Sequence, residues 1–297
     1  MYICIMNTNI HFRPTGLFDY RSYIANESHA LGLLTSIRWP DGIRCIKCKS
    51  DAIWSMKEDF RCKDCKFHFS VIAGTLFEHS HLKVSQWILA IGLFKVGING
   101  LAVQWALGCN YKTALRVIRT LRQATEKDPI LQQLQGEIET DEAYYGGRQK
   151  GQRGRGGQRK YPVLGFKERK GSKLVKTVVV PNVEAKTLLE KFNVWVKKGS
   201  KVFTDGFRSY NHLSEHGYRH QPFDHTKQFV SFQDSELNTQ KIENVWSHTK
   251  PITKARYRKI TLKALPGICA ENDFKSNHRK DSDFIRLMLQ QLINSYP

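Results

Sequence analysis

Three carboxylates sit where local patterns change. Asp141 closes the apolar approach of I-E-T-D-E-A-Y at 138–144, and Asp205 is carried by the extended run K-V-F-T into the turn at Gly206. Glu243 lies in the helical run T-Q-K-I-E-N-V-W-S-H-T-K at 239–250. Clustered acids of this kind suit phosphodiester cleavage with two bound cations, one activating the attacking oxygen and the other stabilising the leaving oxygen. Aspartates at strand ends serve well because the backbone is rigid there and the side chain is short. One such Asp is weak evidence, since turns favour Asp; two of them followed by Glu243 on an amphipathic helix are much stronger. Glu243, Trp246 and Lys250 fall at i, i+3 and i+7, so acid and lysine share a helix face almost two turns apart. The plainer reading is a surface helix decorated for solubility, with Ile242, Val245 and Trp246 as its core face either way.

A second constellation is sulfur. Cys45-x-x-Cys48 and Cys62-x-x-Cys65 are separated by thirteen residues, a spacing that places four thiolates around one Zn²⁺ and lets the metal supply folding energy to a small unit. A full Cys4 shell leaves no position for water, so this zinc is structural. His68, His79 and His81 lie nearby and are not needed as ligands. Cys4, Cys109 and Cys269 read as ordinary thiols. Seven cysteines, four of them paired this way, favour a reducing compartment over a disulfide framework.

Around these groups the chain is strongly basic. Its 297 residues carry 47 Lys plus Arg against 27 Asp plus Glu, a formal net charge of +20, which favours a polyanionic partner and points to nucleic acid over a merely soluble basic protein. No apolar run approaches the length of a membrane span: Trp87 to Val96 is short and contains Lys95. The N-terminus M-Y-I-C-I-M lacks a basic leader and a cleavage site.

The elements that must position these residues follow in order. A short helix is expected at Glu27 to Leu34 within an N-terminal segment, 1–38. Residues 39–80 alternate in short stretches, as the small strands of a zinc ribbon do. Residues 81–128 turn helical, first Val84 to Phe94, then a helix, a turn at Gly108-Cys109-Asn110 and a second helix. That second helix carries Lys112, Arg116, Arg119 and Arg122, the layout of a helix-turn-helix that approaches DNA; two core helices with solvated basic faces are the alternative. From 129 to 260 the pattern is mixed: strands at 137–145, 161–168 and 174–181, a helix at 184–197, a strand at 201–204, and a helix from Thr239 stopped by Pro251. This is an α/β domain, with a mixed sheet and flanking helices. Between its first two strands runs a loop rich in glycine and charge, with Arg148, Lys150, Arg153 and Arg155 as phosphate contacts, or else a solvated hairpin tip. Residues 261–297 form a tail without a motif.

Taken together, I-E-T-D-E-A-Y-Y-G-G, V-F-T-D-G-F-R-S-Y and I-E-N-V-W-S-H-T-K resemble the three signature blocks of DDE transposases, and more narrowly the bacterial insertion-sequence group related to Merlin elements. The resemblance spans roughly residues 20 to 260. It implies a zinc ribbon, a helical DNA-binding segment and an RNase H-like catalytic domain. By position it makes Asp141 and Asp205 the metal-binding aspartates for Mg²⁺ or Mn²⁺, Glu243 the third acid and Lys250 a DNA contact. Some relatives place asparagine in the third role, and Asn244 stands beside Glu243. Glu142 reads as a supporting acid, and Glu139 also flanks Asp141. The implied activity is transposition: hydrolysis at terminal inverted repeats exposes a 3′-hydroxyl, which then attacks target DNA. Pairing two ends implies at least a dimer. The compartment would be cytoplasm or nucleoid in a bacterium and nucleus in a eukaryote. A domesticated DNA-binding relative, an RNase H-like nuclease without strand transfer and a zinc-ribbon transcription factor are the rivals; the last leaves residues 130 to 260 without a role.

Overall fold

The computed structural model describes residues 16–56, 59–78, 80–146, 160–223, 239–257, 260–281 and 283–294. In chain order the helices and strands are α1 (Arg21–Ala25), α2 (Glu27–Arg38), β1 (Ile53–Ser55), β2 (Asp59–Cys62), β3 (His68–Ser70), α3 (Val84–Val96), α4 (Gly100–Leu107), α5 (Tyr111–Glu126), β4 (Glu137–Gly146), β5 (Lys160–Glu168), β6 (Val175–Val179), α6 (Ala185–Trp195), β7 (Lys201–Asp205), β8 (Arg219–Phe223), α7 (Gln240–Arg256), α8 (Leu265–Asn277) and α9 (Phe284–Asn294). Short 3-10 turns occupy Leu17–Tyr20 and Arg208–His216. The chain divides into two units, Met1–Val96 with Val103–Asn110 and Lys280–Pro297, and Gly97–Ala102 with Tyr111–Arg279.

In the first unit β1, β2 and β3 form a small antiparallel sheet. Trp39, Phe60 and Phe69 pack edge-on and tilted beneath it, giving the ribbon an apolar floor too small to fold on its own area. Helix α2 starts at Asn26, whose side chain accepts from the His29 amide at 3.2 Å. Glu27 then accepts from the first amides of α3, Val84 at 2.8 Å and Ser85 at 3.0 Å. Helix α9, in the stretch that carries no motif, returns to this unit: Leu292 accepts from the Leu76 amide, and Asp283 from the Tyr20 hydroxyl.

The second unit is built on a five-stranded sheet in the order β6-β5-β4-β7-β8. Strands β4, β5 and β6 are antiparallel neighbours, while β7 and β8 run parallel to β4. The mixed sheet expected from the sequence is therefore present, with helices on both faces. Even-numbered residues of β4, β5 and β7 (Ile138, Leu164, Phe166 and Val202) pack against Leu188 and Phe192 of α6 and against Tyr210 and Leu213. Odd-numbered residues (Ala143, Tyr145 and Val163) pack against Ile242 and Trp246 of α7 and Leu265 and Cys269 of α8. This period of two assigns each residue of β4 to a face.

Strand β6 would be an open edge, and α8 closes it. Asn277 accepts from the Val175 amide at 2.8 Å and donates to its carbonyl at 3.0 Å, and Asp273 accepts from the amide and hydroxyl of Thr177 at 2.8 Å each. Side chains thus satisfy backbone groups that a further strand would otherwise take. Asp273 is fully buried, and desolvation pushes its carboxyl up to about 7.

Two expectations need correction, and one strand lies outside them. Asp141 does not sit at a strand end: β4 runs on to Gly146, and of the two aspartates only Asp205 ends its strand. Helix α7 does not stop at Pro251 but continues to Arg256. Proline forfeits one hydrogen bond and crowds the carbonyl four residues back, at a cost of about 3 kcal/mol. The turn ahead of it is tied by side chains, with Thr249 Oγ1 donating to the Val245 carbonyl at 2.8 Å and His248 Nδ1 2.8 Å from that of Asn244, and Thr253 is buried beyond it. Strand β8 has no sequence signature because R-H-Q-P-F does not alternate; as an edge strand it tolerates Pro222.

Candidate active site

The register of β4 against β7 pairs Glu137 with Lys201, Ile138 with Val202 and Glu139 with Phe203. The same offset sets Asp141 level with Asp205, just beyond the end of the ladder. Both are odd-numbered, so both point to the α7 face, and oxygens of Asp141, Asp205 and Glu142 lie within 4.8 Å of one another. Asp205 sits where β7 ends, and its Oδ1 accepts from the Phe207 amide at 3.1 Å, fixing the carboxylate over the glycine turn.

Asp141 is held from above. The Trp246 indole N–H donates to its Oδ2 at 3.1 Å. The indole can approach because Gly165, the β5 partner of Asp141, has no side chain: a Cβ there would lie 2.4 Å from Trp246 Cζ2 and 2.8 Å from Ile242 Cδ1. Burial raises the Asp141 carboxyl to about 6; the charges of Asp205 and Glu243 push the same way, and hydrogen bonds from the Glu142 amide and the Trp246 indole oppose them. Like charges gathered in one partly dry place are unfavourable unless a cation joins them. Two level carboxylates with such mutual repulsion have the donor chemistry of a divalent-cation site.

Glu142 reaches the acid group from the other face of the strand, where its charge, after burial itself, helps hold the fully buried Tyr210 hydroxyl well above its ordinary pKa. Glu243 stands outside the tight group. It is exposed on the first turn of α7, where the Thr239 hydroxyl donates to Oε1 at 2.8 Å, yet it is near enough to act on Asp141. Lys250 is exposed farther along α7; partial desolvation lowers its ammonium while the charge of Asp141 opposes this. Because α7 continues through Pro251, Glu243 and Lys250 stay on one rigid element, about 10 Å apart along the axis.

The four cysteines come together in the first unit. Their sulfurs lie within 4.8 Å of one another, with Cys45–Cys65 at 3.6 Å and Cys48–Cys62 at 3.5 Å. A tetrahedral Zn²⁺ with bonds of about 2.3 Å would hold its sulfurs about 3.8 Å apart, so the donor set fits. The two knuckles are built alike. Cys45 donates its amide to the Ser50 carbonyl at 2.8 Å and Cys62 to that of Phe67 at 2.9 Å. The residue after each second cysteine, Lys49 and Lys66, turns left-handed at φ 65° and 61°. The Cys62 thiol is drawn down to about 6, first by its hydrogen bond with the Cys65 backbone.

Of the predicted DNA contacts, Lys112, Arg116 and Arg119 are exposed on α5, while Ala114, Val117, Ile118 and Leu121 are buried. Arg122 is committed elsewhere, its Nε donating to Glu271 at 2.9 Å. Arg148, Lys150, Arg153 and Arg155 lie outside the described residues. Sequence reasoning missed Trp246 as a partner of Asp141 and the role of Gly165. A glycine inside a strand is a signal of close approach and could have prompted both. Among the described residues no helix is long and apolar enough to cross a membrane.

Two family models match the chain. Residues 133–277 match the ISXO2-like transposase domain and residues 25–68 the transposase zinc-ribbon domain. The chain thus carries a transposase domain similar to that of the ISXO2-like family, with a transposase zinc-ribbon domain ahead of it. It is similar to a protein of the transposable element ISH50 in Halobacterium salinarum, 27% identical over 213 residues, 64% of this chain and 71% of that one. A transposase-like protein of Haemophilus influenzae is 40% identical over 76 residues, 26% of this chain and 59% of its own length. Among solved structures, a simian T-cell lymphotropic virus intasome with the PP2A regulatory subunit B56 gamma aligns over 61% of this chain and 66% of that chain, at 10% identity and a TM-score of 0.30.

Proposed function

We propose that the chain cleaves the ends of its own mobile element and joins the exposed 3′-hydroxyl to target DNA. Asp141 and Asp205 are its principal cation ligands, Mg²⁺ or Mn²⁺ being the ion. The observation that carries this reading is the level placement of these two aspartates in neighbouring parallel strands, their oxygens within 4.8 Å, in a chain with a DDE transposase domain. When bound, a pair of such ions supplies Lewis-acid activation of the attacking oxygen and charge stabilisation of the leaving one.

The chain's residues supply the rest. Trp246 fixes one oxygen of Asp141, and the Phe207 amide orients Asp205. Glu243 brings the third carboxylate from α7, where it would join Asp141 and Asp205 in holding the ion. Lys250, on the same helix, meets a backbone phosphate. Glu142 is the rival for the third position, because its oxygens already lie in the tight group. Lys112, Arg116 and Arg119 on α5, together with Arg148, Lys150, Arg153 and Arg155, contact DNA backbone, in keeping with the net charge of +20. In this reading residues 39–80 are the ribbon, 81–128 the helical DNA-binding segment and 129–260 the catalytic domain; two ends are brought together by at least two copies, in the compartment that holds the host DNA.

The test is a cleavage and joining assay on a plasmid carrying the coding sequence with its flanking DNA. Wild type in Mg²⁺ should nick at the element boundaries and form joined products, and Asp205→Ala should do neither. Equal activity in both would reject the assignment. Loss with Glu243→Gln and retention with Glu142→Gln identify Glu243 as the third acid, and the reverse identifies Glu142.

A further inference from the structure

Glu139 lies two residues before Asp141 on the same face of β4, and its carboxylate is completely buried. Among the described residues both of its oxygens meet donors. Oε1 accepts from Arg169 Nε at 2.8 Å, and Oε2 accepts from the backbone amides of Lys241 at 2.7 Å and Ile242 at 2.9 Å. Those two amides belong to the first turn of α7, where N–H groups lack intrahelical acceptors. Arg169 is itself fixed, its guanidinium 3.6 Å over the Phe203 ring, and the Lys241 ammonium donates to the Arg169 carbonyl at 3.0 Å.

A carboxylate taken out of water is expensive, and an apolar residue would fill the same space at lower cost. What the carboxylate provides is direction. It fits only a helix whose first amides face it, so it sets both the rotation and the axial position of α7 against β4. Glu243 follows Ile242 directly, and Lys250 rides on the same helix. We infer that Glu139 is a positioning residue, a buried clamp that sets α7 so that Glu243 and Lys250 are presented to Asp141. This rests on the functional reading above, in which α7 completes the acid site.

The experiment uses the full chain with zinc bound, comparing wild type with Glu139→Gln and Lys241→Pro. The glutamine keeps the size but loses the charge and one acceptor. The proline removes one of the two amide donors and the Lys241 ammonium bond to the Arg169 carbonyl, and leaves the buried acid in place. Amide exchange is read across α7 and turnover is read on the plasmid substrate. The clamp predicts at least tenfold faster exchange at Ile242 in both variants, confined to the first turn of α7. It also predicts a kcat at least tenfold lower, with a smaller rise in the KM for DNA through Lys250. Unchanged exchange at Ile242, or wild-type kcat in a folded Glu139→Gln protein, overturns the inference. So does a loss that merely tracks the unfolded fraction. If one variant does not fold, the other decides. A wild type that neither nicks nor joins DNA rejects the functional reading instead, and the exchange data still decide whether Glu139 sets α7.

Discussion

Asp141 and Asp205 lie level on neighbouring parallel strands just past the end of their ladder, 64 residues apart in sequence by the offset that pairs Glu137 with Lys201. Their separation follows from the spacing of the two strands, continued two residues past the last paired position, Glu139 with Phe203. Only the third acid depends on a helix, and its position depends on how that helix is docked.

Trp246→Phe keeps the ring and removes the indole N–H from Asp141. A hydrogen bond to a charged group is worth about 1.5–3 kcal/mol, and here it favours the ionised carboxyl. The Asp141 pKa should rise above about 6, and the acid limb of Mn²⁺ affinity against pH should move up by about one pH unit. An unmoved limb contradicts the role given to Trp246.

Asp141→Asn separates stability from activity. The folded carboxyl is raised from 3.8 to about 6, so between those values the native state binds more protons than the unfolded chain. Stability then falls as pH rises through that window, by up to roughly 3 kcal/mol. Without divalent cation at pH 8, Asp141→Asn should melt higher than wild type; at pH 3.5 the difference should vanish, and DNA cleavage should be abolished throughout. Thermal melts at the two pH values check this, and a variant less stable at pH 8 would sink it.

Gly165→Ala puts a methyl 2.4 Å from the Trp246 ring. Ring and helix must move, at about 1–3 kcal/mol, the usual cost of overpacking. A lowered melting temperature is expected together with a loss of activity larger than the loss of folded protein. Wild-type melting would show that α7 sits farther from β5 than described.

Zinc removal tests the ribbon. With sulfurs 3.5 and 3.6 Å apart across the two knuckles, a chelator should unfold residues 39–80, seen as rapid amide exchange there, while the sheet of the second unit stays protected. Protection of the ribbon in excess chelator would contradict a structural metal.

How much of this could be read beforehand differs by element. Strands β4, β5 and β7 announce themselves through alternation, and Cys45, Cys48, Cys62 and Cys65 through spacing. The acids are legible because each ends or interrupts such a pattern. Strand β8 is not, since an edge strand with Pro222 has no face to bury strongly. The closing of the β6 edge by α8 was equally hidden: Asp273 and Asn277 look like ordinary helix polar residues until their partners are known. Pro251 misled because the rule for proline is local, whereas the burial of Thr253 beyond it is tertiary. Glu139 was visible only as a neighbour of Asp141; its partners come from residues 30 and about 100 positions away.

On the proposed reading Asp141 and Asp205 hold one cation site between them. Fe²⁺ bound in place of Mg²⁺, with ascorbate and peroxide, cuts the backbone beside the ion and so maps it directly. Cuts should appear both within 139–143 and within 203–207, disappear with excess Mg²⁺, and be lost together in either Asp141→Asn or Asp205→Asn. Cuts confined to one segment, or persisting in either variant, would contradict a shared site.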